Sequence, residues 1–341
     1  MADRLGPAPD GPFILGMNLP WMRYGCDFGA NVWQPDGGLA VRSDLERLAG
    51  LLQRLREDGV MAVRWFVFCD GRAGIRFDAS GFPLGLDAFV ERDVGVALDL
   101  MRRAGLLVVP VLLDFHFAKR RRFVQGVSLG GHARVLRRPS WRAALVDRVL
   151  GPVCRRFGTH EAVLAWDLMN EPEWVTRGFG AWRPWHAVAP AAMRAYLVEA
   201  ASLVHTETRH LVTTGSASAR WLQLVRGVGL DVYQPHWYDY LDRRAPLETP
   251  VAHWRLDRPA WLGEAPTRGS RHDPVRLLDM ARSAGYAGVW LWSALADDIS
   301  SDGLAAAAAT REWVMRARAT QGVPGPSGHA VIDTTREGEH S

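Results

Sequence analysis

A single α/β domain of the (β/α)8 TIM-barrel class is the fold that this 341-residue chain predicts. Three observations point to it. Short apolar runs without polar alternation recur along the chain, as strands covered on both faces should. Amphipathic helical patterns lie between most of them, which is the order of a parallel α/β fold. Three of those patterns end in a glycine followed at once by an apolar run. A doubly wound sheet would share these features, but no Gly-x-Gly-x-x-Gly follows the first run.

The eight strand candidates are Phe13 to Met17, Val60 to Phe68, Leu106 to Leu113, Ala162 to Leu168, His210 to Thr214, Gly229 to Gln234, Ala260 to Gly263 and Tyr286 to Trp292. The helical patterns are Ser43 to Glu57, Leu86 to Arg103, Trp141 to Phe157, Ala191 to Thr208, Pro274 to Ser283 and Leu304 to Arg318. In the first helix Leu45, Leu48, Leu52 and Leu55 recur at three- and four-residue steps and make one apolar face. Ser43 and Glu46 stand at capping-box spacing before it. Gly59, Gly105 and Gly285 each stand where a left-handed cap would turn the chain back into the next strand. The barrel is expected over residues 13–320, with a polar extension at 1–12 and a loose Gly-, Pro- and charge-rich tail at 321–341.

Composition narrows the function. Forty-one Lys and Arg against 37 Asp and Glu give a net charge of +4, which by itself does not point to nucleic acid. No apolar stretch approaches the roughly 20 residues that span a bilayer. The N-terminal residues have no basic region followed by an apolar segment, so a cytoplasmic location is expected. Neither a nucleic-acid nor a membrane partner is expected. Cys26, Cys69 and Cys154 are scattered and odd in number, which suits neither a disulfide framework nor a metal site. No cofactor and no metal are expected. The 15 tryptophans are more telling, because several fall at strand ends or in loops.

The candidate chemistry lies at the strand ends, where such barrels keep their active sites. Glu171 closes VLAWDLMNEPEW, and Glu264 closes PAWLGEAPT. Two carboxylates brought by separate strands to one pocket are the minimum equipment for cleaving a glycosidic bond. Around them in chain order come Asn18 and Trp21, Arg64 and Asp70, Asp114 and His116, Asn170, Ser216, His236 and Tyr238, and Trp292.

This ordered set resembles glycoside hydrolase clan A, and most closely family 5, over residues 13–318. The resemblance rests on Asn170-Glu171 ending the fourth strand, Glu264 ending the seventh, Arg64 on the second, His116 after the third, His236-Trp237-Tyr238 on the sixth and Trp292 on the eighth. It implies a retaining β-glycosidase acting on β-linked gluco- or manno-configured glycans by double displacement. Glu171 would be the acid/base and Glu264 the nucleophile. Arg64 would hold Glu264 anionic, and Tyr238 would donate to it. His236 would bond the acid/base, Asn170 would bind the sugar 2-hydroxyl, and Trp292 would offer a stacking platform. His116, Trp21, Trp33, Asp70, Asp114, Trp182 and Trp185 are further candidates for substrate contacts. The chain departs from the family in following Glu264 with Ala265-Pro266.

A transglycosylase using the same intermediate and a non-catalytic sugar-binding barrel are the alternatives. A metal-dependent hydrolase would need His116, Asp114, His236 and Glu264 to converge on an ion. The run Lys119, Arg120, Arg121 and Arg122, followed by Arg134, Arg137 and Arg138, falls on the same rim. It is either a solvated loop or an attractor for an anionic carbohydrate substrate.

Overall fold

A computed structural model describes residues 13–181, 187–296 and 298–321. Trp182, Trp185, the 1–12 extension and the tail from 322 onward lie outside the described residues. All eight expected strands are present: β1 (Ile14–Asn18), β2 (Ala62–Phe66), β3 (Leu107–Val111), β4 (Ala165–Asp167), β5 (Leu211–Thr213), β6 (Gln234–Pro235), β7 (Leu262–Pro266) and β8 (Gly288–Trp292). Seven of them form one parallel sheet in the order β7-β8-β1-β2-β3-β4-β5. The ring closes through β6. Gly215 and Ser216, just beyond β5, pair with Gln234 and Pro235, and single bridges join Tyr233 to Ala260 and His236 to Glu264.

Strand parity sorts the core, because successive side chains point to opposite faces. Leu15, Met17, Val63, Trp65, Val108, Trp166, Val289 and Leu291 pack outward against the helices in one large cluster. Ile14, Ala62, Leu107, Val109, Ala165, Trp261 and Trp290 fill the barrel interior. Trp290 leaves no room beside it: a Cβ built on Gly16 would lie 2.4 Å from its ring. Above this apolar plug the inward positions turn polar, at Asn18, Arg64 and Asp167, all fully buried.

The helices are α1 (Leu45–Glu57), α2 (Val90–Ala104), α3 (Ala133–Arg137), α4 (Pro139–Leu145), α5 (Gly151–Phe157), α6 (Pro190–Glu207), α7 (Pro274–Ala284) and α8 (Gly303–Gln321). Four details differ from the sequence expectation. The capping box of α1 does not form; Asp44 takes the cap position without a side-chain capping bond, its carboxylate pairing with Arg42 instead. Leu86 belongs to a hairpin, Ile75–Phe77 with Pro83–Leu86, so α2 starts four residues later. The helix expected over 141–157 is α4 and α5 joined by a π-turn at Val146–Leu150, a widening that suits Pro152, which has no N–H to donate. The chain is still helical at residue 321, where the tail was expected to begin. Gly59, Gly105 and Gly285 do take positive φ at the expected helix ends.

Candidate active site

Glu171 and Glu264 meet at the C-terminal mouth of the barrel, each delivered by a local irregularity. Glu171 follows β4 in a left-handed conformation, φ 48° and ψ 52°, which is uncommon for a residue with a Cβ. Its N–H donates to the Gly215 carbonyl at 2.7 Å, and Pro172 starts a 3-10 turn after it. Glu264 lies in a β-bulge, where the register of β7 against β8 shifts between Leu262 and Ala265. The extra residue turns Glu264 inward while Leu262 and Ala265 stay in the outer core, as bulges re-aim side chains beside active sites.

The two carboxylates and His236 present atoms that all lie within 4.8 Å of one another. His236 Nδ1 is 2.9 Å from Glu171 Oε1 and 3.5 Å from Glu264 Oε2. Trp174 Nε1 donates to Glu171 Oε2 at 2.7 Å. Tyr238 donates its hydroxyl to Glu264 Oε2 at 2.6 Å. Arg64 reaches Glu264 Oε1 at 2.8 Å, Asp167 at 2.9 Å and Asn170 Oδ1 at 2.8 Å. The guanidinium thus ties β2, β4 and β7 together below the mouth, as its planar fork of donors allows.

Charge and burial set the protonation pattern. Burial drives the Glu171 carboxyl up to about 7, with Asp114 adding to the rise; Trp174, Arg64 and His116 oppose it. Burial also raises Glu264, countered by His236, Arg64 and the Tyr238 hydroxyl. Burial pushes His236 down to about 4, so its ring is neutral at pH 7. The Tyr238 phenol is held well above its ordinary value, chiefly by burial and then by the Glu264 charge, and so stays a donor.

The other expected site residues divide into two groups. Trp292 and Trp21 pack edge to face, centroids 6.0 Å apart, beside the glutamates. Trp292 Nε1 donates to Asp298 at 2.9 Å. With Tyr238, Asp298 and Ile299, the glutamates and Trp292 line a small cleft of about 220 Å³. Asp114 is buried and accepts from Asn170 at 3.0 Å, and its other oxygen is 2.5 Å from His116 Nδ1. Asn170 therefore spends its carbonyl on Arg64 and one amide hydrogen on Asp114, which fixes its side chain at the rim.

Asp70 pairs with Arg72 at 2.8 Å, and Arg72 lies over the Tyr24 ring. Trp33 is further out and bonds the Gln125 carbonyl at 3.3 Å. Sequence reasoning missed Asp167, Tyr24 and Asp298, and it noted Trp174 among the loop tryptophans without giving it a role. The metal alternative is not the arrangement found, since Asp114 and His116 bind each other. Among the described residues, Glu171, His236 and Glu264 form the trio close enough to share an ion.

A parallel barrel with two facing glutamates at its C-terminal mouth is the architecture of a clan A glycoside hydrolase, and the likeness to family 5 holds. No protein-family model matches the chain. The mannan endo-1,4-β-mannosidase of Mytilus edulis is 23% identical over 321 residues, covering 82% of this chain and 83% of that protein. The endo-1,4-β-mannanase structure from Eisenia fetida superposes with a TM-score of 0.73 at 22% identity, covering 88% of this chain and 90% of that one. A GH5_18 protein of Streptomyces cattleya, solved with Manβ1-4GlcNAc, gives 0.66 at 17% identity, covering 92% of this chain and 83% of that one. These likenesses bear out the barrel class and the reading of the chain as an enzyme acting on O-glycosyl bonds.

Proposed function

We propose that the protein is a retaining β-glycosidase that cleaves β-linked manno- or gluco-configured glycosides or oligosaccharides, with a β-mannosidic bond the favoured substrate. The carrying observation is the approach of the Glu171 and Glu264 carboxylate oxygens within 4.8 Å. That closeness suits a covalent double displacement, for which about 5–5.5 Å between carboxyls is usual, better than an inverting reaction, which sets them about 6.5–9.5 Å apart. The mannanase names of the relatives support the choice of sugar.

In the first step Glu264 attacks the anomeric carbon. The glycosidic C–O bond breaks, and Glu171 gives its proton to the leaving oxygen. In the second step Glu171 takes a proton from water, which attacks the glycosyl-enzyme and frees Glu264. Esterification removes a negative charge beside Glu171, which favours its ionised form and makes it a better base when a base is needed. Tyr238 and Arg64 hold the Glu264 oxygens. The second amide hydrogen of Asn170 is available for the sugar 2-hydroxyl, and Trp292 is the platform under the ring.

The test is turnover of aryl β-mannoside, β-glucoside, β-cellobioside and β-xyloside, with short β-mannans and β-glucans. Release of an anomerically retained product from the mannosides supports the proposal; an inverted product overturns it. The same assay checks the pH dependence. Glu171 works as an acid only while protonated, so kcat/KM should fall as pH rises through about 7. Protonation of Glu264 makes the acid limb, which Tyr238→Phe should move to higher pH by removing a donor to the carboxylate.

An anionic carbohydrate is the finer part of the proposal. His116, Lys119, Arg120 and Arg122 line a cavity of about 420 Å³ on the rim, and Arg120 and Arg122 have no ion pair among the described residues. Serine at Arg120, Arg121 and Arg122 should raise KM for an acidic glycoside, with the difference shrinking in high salt. A cytoplasmic location also belongs to the proposal, supported by three free, buried thiols, and cell fractionation tests it.

A further inference from the structure

The basic rim carries an apolar tip that the glycosidase reading does not use. Arg122–Val124 pairs antiparallel with Val127–Leu129, making a hairpin that follows β3 on the catalytic face. Gln125 and Gly126 turn it, at φ 44° and 83°. The returning strand is anchored by buried Val127 and Leu129, and Gly131 donates to the Lys119 carbonyl at 2.7 Å. The outgoing strand is exposed along its length. Phe123 is 70% exposed and Val124 41%.

Beside the tip stands the loop after β1, with Val32 72% and Trp33 38% exposed. The two are joined by the Trp33 to Gln125 bond, and a Cβ on Gly126 would touch Val32. Four exposed apolar side chains thus gather around one fixed hairpin tip, Phe123 and Val124 on its opposite faces, with Lys119, Arg120, Arg121 and Arg122 at their foot. An uncharged glycan would meet the aromatic rings but leave Arg120 and Arg122 without partners, Lys119 and Arg121 lying over the Phe115 and Phe123 rings. A free anionic sugar would satisfy the cations but leave Phe123, Val124 and Val32 in water. An anionic lipid surface meets both groups at once, the cations at the headgroups and the apolar tip at the acyl boundary.

We propose that this rim docks the protein on anionic lipid bilayers, with the catalytic mouth facing the headgroups, so that the substrate is a glycan presented at a membrane surface. The contact is peripheral, consistent with there being no helix among the described residues long and apolar enough to cross a membrane. The proposal extends the anionic reading of the basic loop; retention of configuration on soluble glycosides tests the activity independently.

The experiment is sedimentation of the full chain with phosphatidylcholine vesicles, with and without phosphatidylglycerol, in low and high salt. Binding should need phosphatidylglycerol and be released by salt. Serine at Arg120, Arg121 and Arg122 should weaken it about 100-fold, as about 1 kcal/mol per cation near such a surface implies. Phe123→Ser with Val124→Ser should weaken it at least tenfold while turnover of a soluble aryl glycoside stays unchanged. Phe123→Cys carrying an environment-sensitive dye, specific because the native thiols are buried, should shift its emission to the blue on vesicles. Failure to bind phosphatidylglycerol vesicles overturns the proposal. So does binding that the Phe123 and Val124 changes leave intact.

Discussion

Glu264→Ala should lower kcat/KM by roughly 10,000-fold or more, the scale on which loss of a nucleophile acts, and added azide should restore turnover as the α-glycosyl azide. Glu171→Ala should behave differently. Its loss should be about 100- to 10,000-fold for poor leaving groups, the range of general acid catalysis, and small for an activated aryl leaving group that needs no proton. Azide should then give the β-glycosyl azide, because the anion attacks the glycosyl-enzyme in place of water. Opposite anomers from the two variants would fix each role by the face from which azide arrives. Residual activity in Glu264→Ala without azide would overturn the assignment of the nucleophile. The Trp174 bond to Glu171 gives a milder companion: Trp174→Phe frees one carboxylate oxygen and should affect poor leaving groups more than good ones.

Arg64→Met should cost about 3–5 kcal/mol of stability, the usual penalty when one partner of a buried ion pair is removed. Arg64 is fully buried, and so is Asp167, while Glu264 is 4% exposed. Without the guanidinium, two carboxylates remain in a low-dielectric site with one cation fewer than the fold requires. Stability of the variant should improve as pH falls, because those carboxyls escape the penalty by taking up protons. Adding Asp167→Asn and Glu264→Gln to Arg64→Met should return much of the loss, since neutral groups of the same shape no longer need the cation. Urea denaturation of the wild type and the two variants between pH 5 and 8 measures this. A single variant as stable as wild type would show that the guanidinium is not what balances the cluster.

Much of this was legible in the chain because the barrel repeats one rule. Apolar runs had to be strands, and every one of the eight is. The residues singled out at strand ends do gather at one mouth. What escaped reading did so for physical reasons. β7 carries Glu264 and Pro266 inside the strand, so its last residues looked like loop; the bulge that turns Glu264 inward has no signature in Leu262-Gly263-Glu264-Ala265. β6 is only two residues long, and its apolar run, Gly229 to Gln234, mostly precedes it. Ser43 and Glu46 had the right spacing for a cap, but Asp44 lies between them and begins the helix. Asp167 left a signal that went unused: a charge in the middle of an apolar strand must have a buried partner, and Arg64, in the same situation on β2, was the matching residue. Trp174 and Asp298 lie in loops, where contacts depend on tertiary approach that periodicity does not encode.

The closure of the ring has a dynamic consequence. Most neighbouring strands are tied by continuous ladders, such as the five-residue register between β2 and β3, whereas β6 is held by two pairs on one side and two isolated bridges on the other. Amide protons at that seam, those of His236 and Trp237 among them, should exchange with solvent faster than those of β2 and β3, because fewer neighbouring bonds must open together to release them. His236 and Glu264 face each other across the seam, so an opening of this seam would be felt where the nucleophile and its neighbour receive a sugar ring.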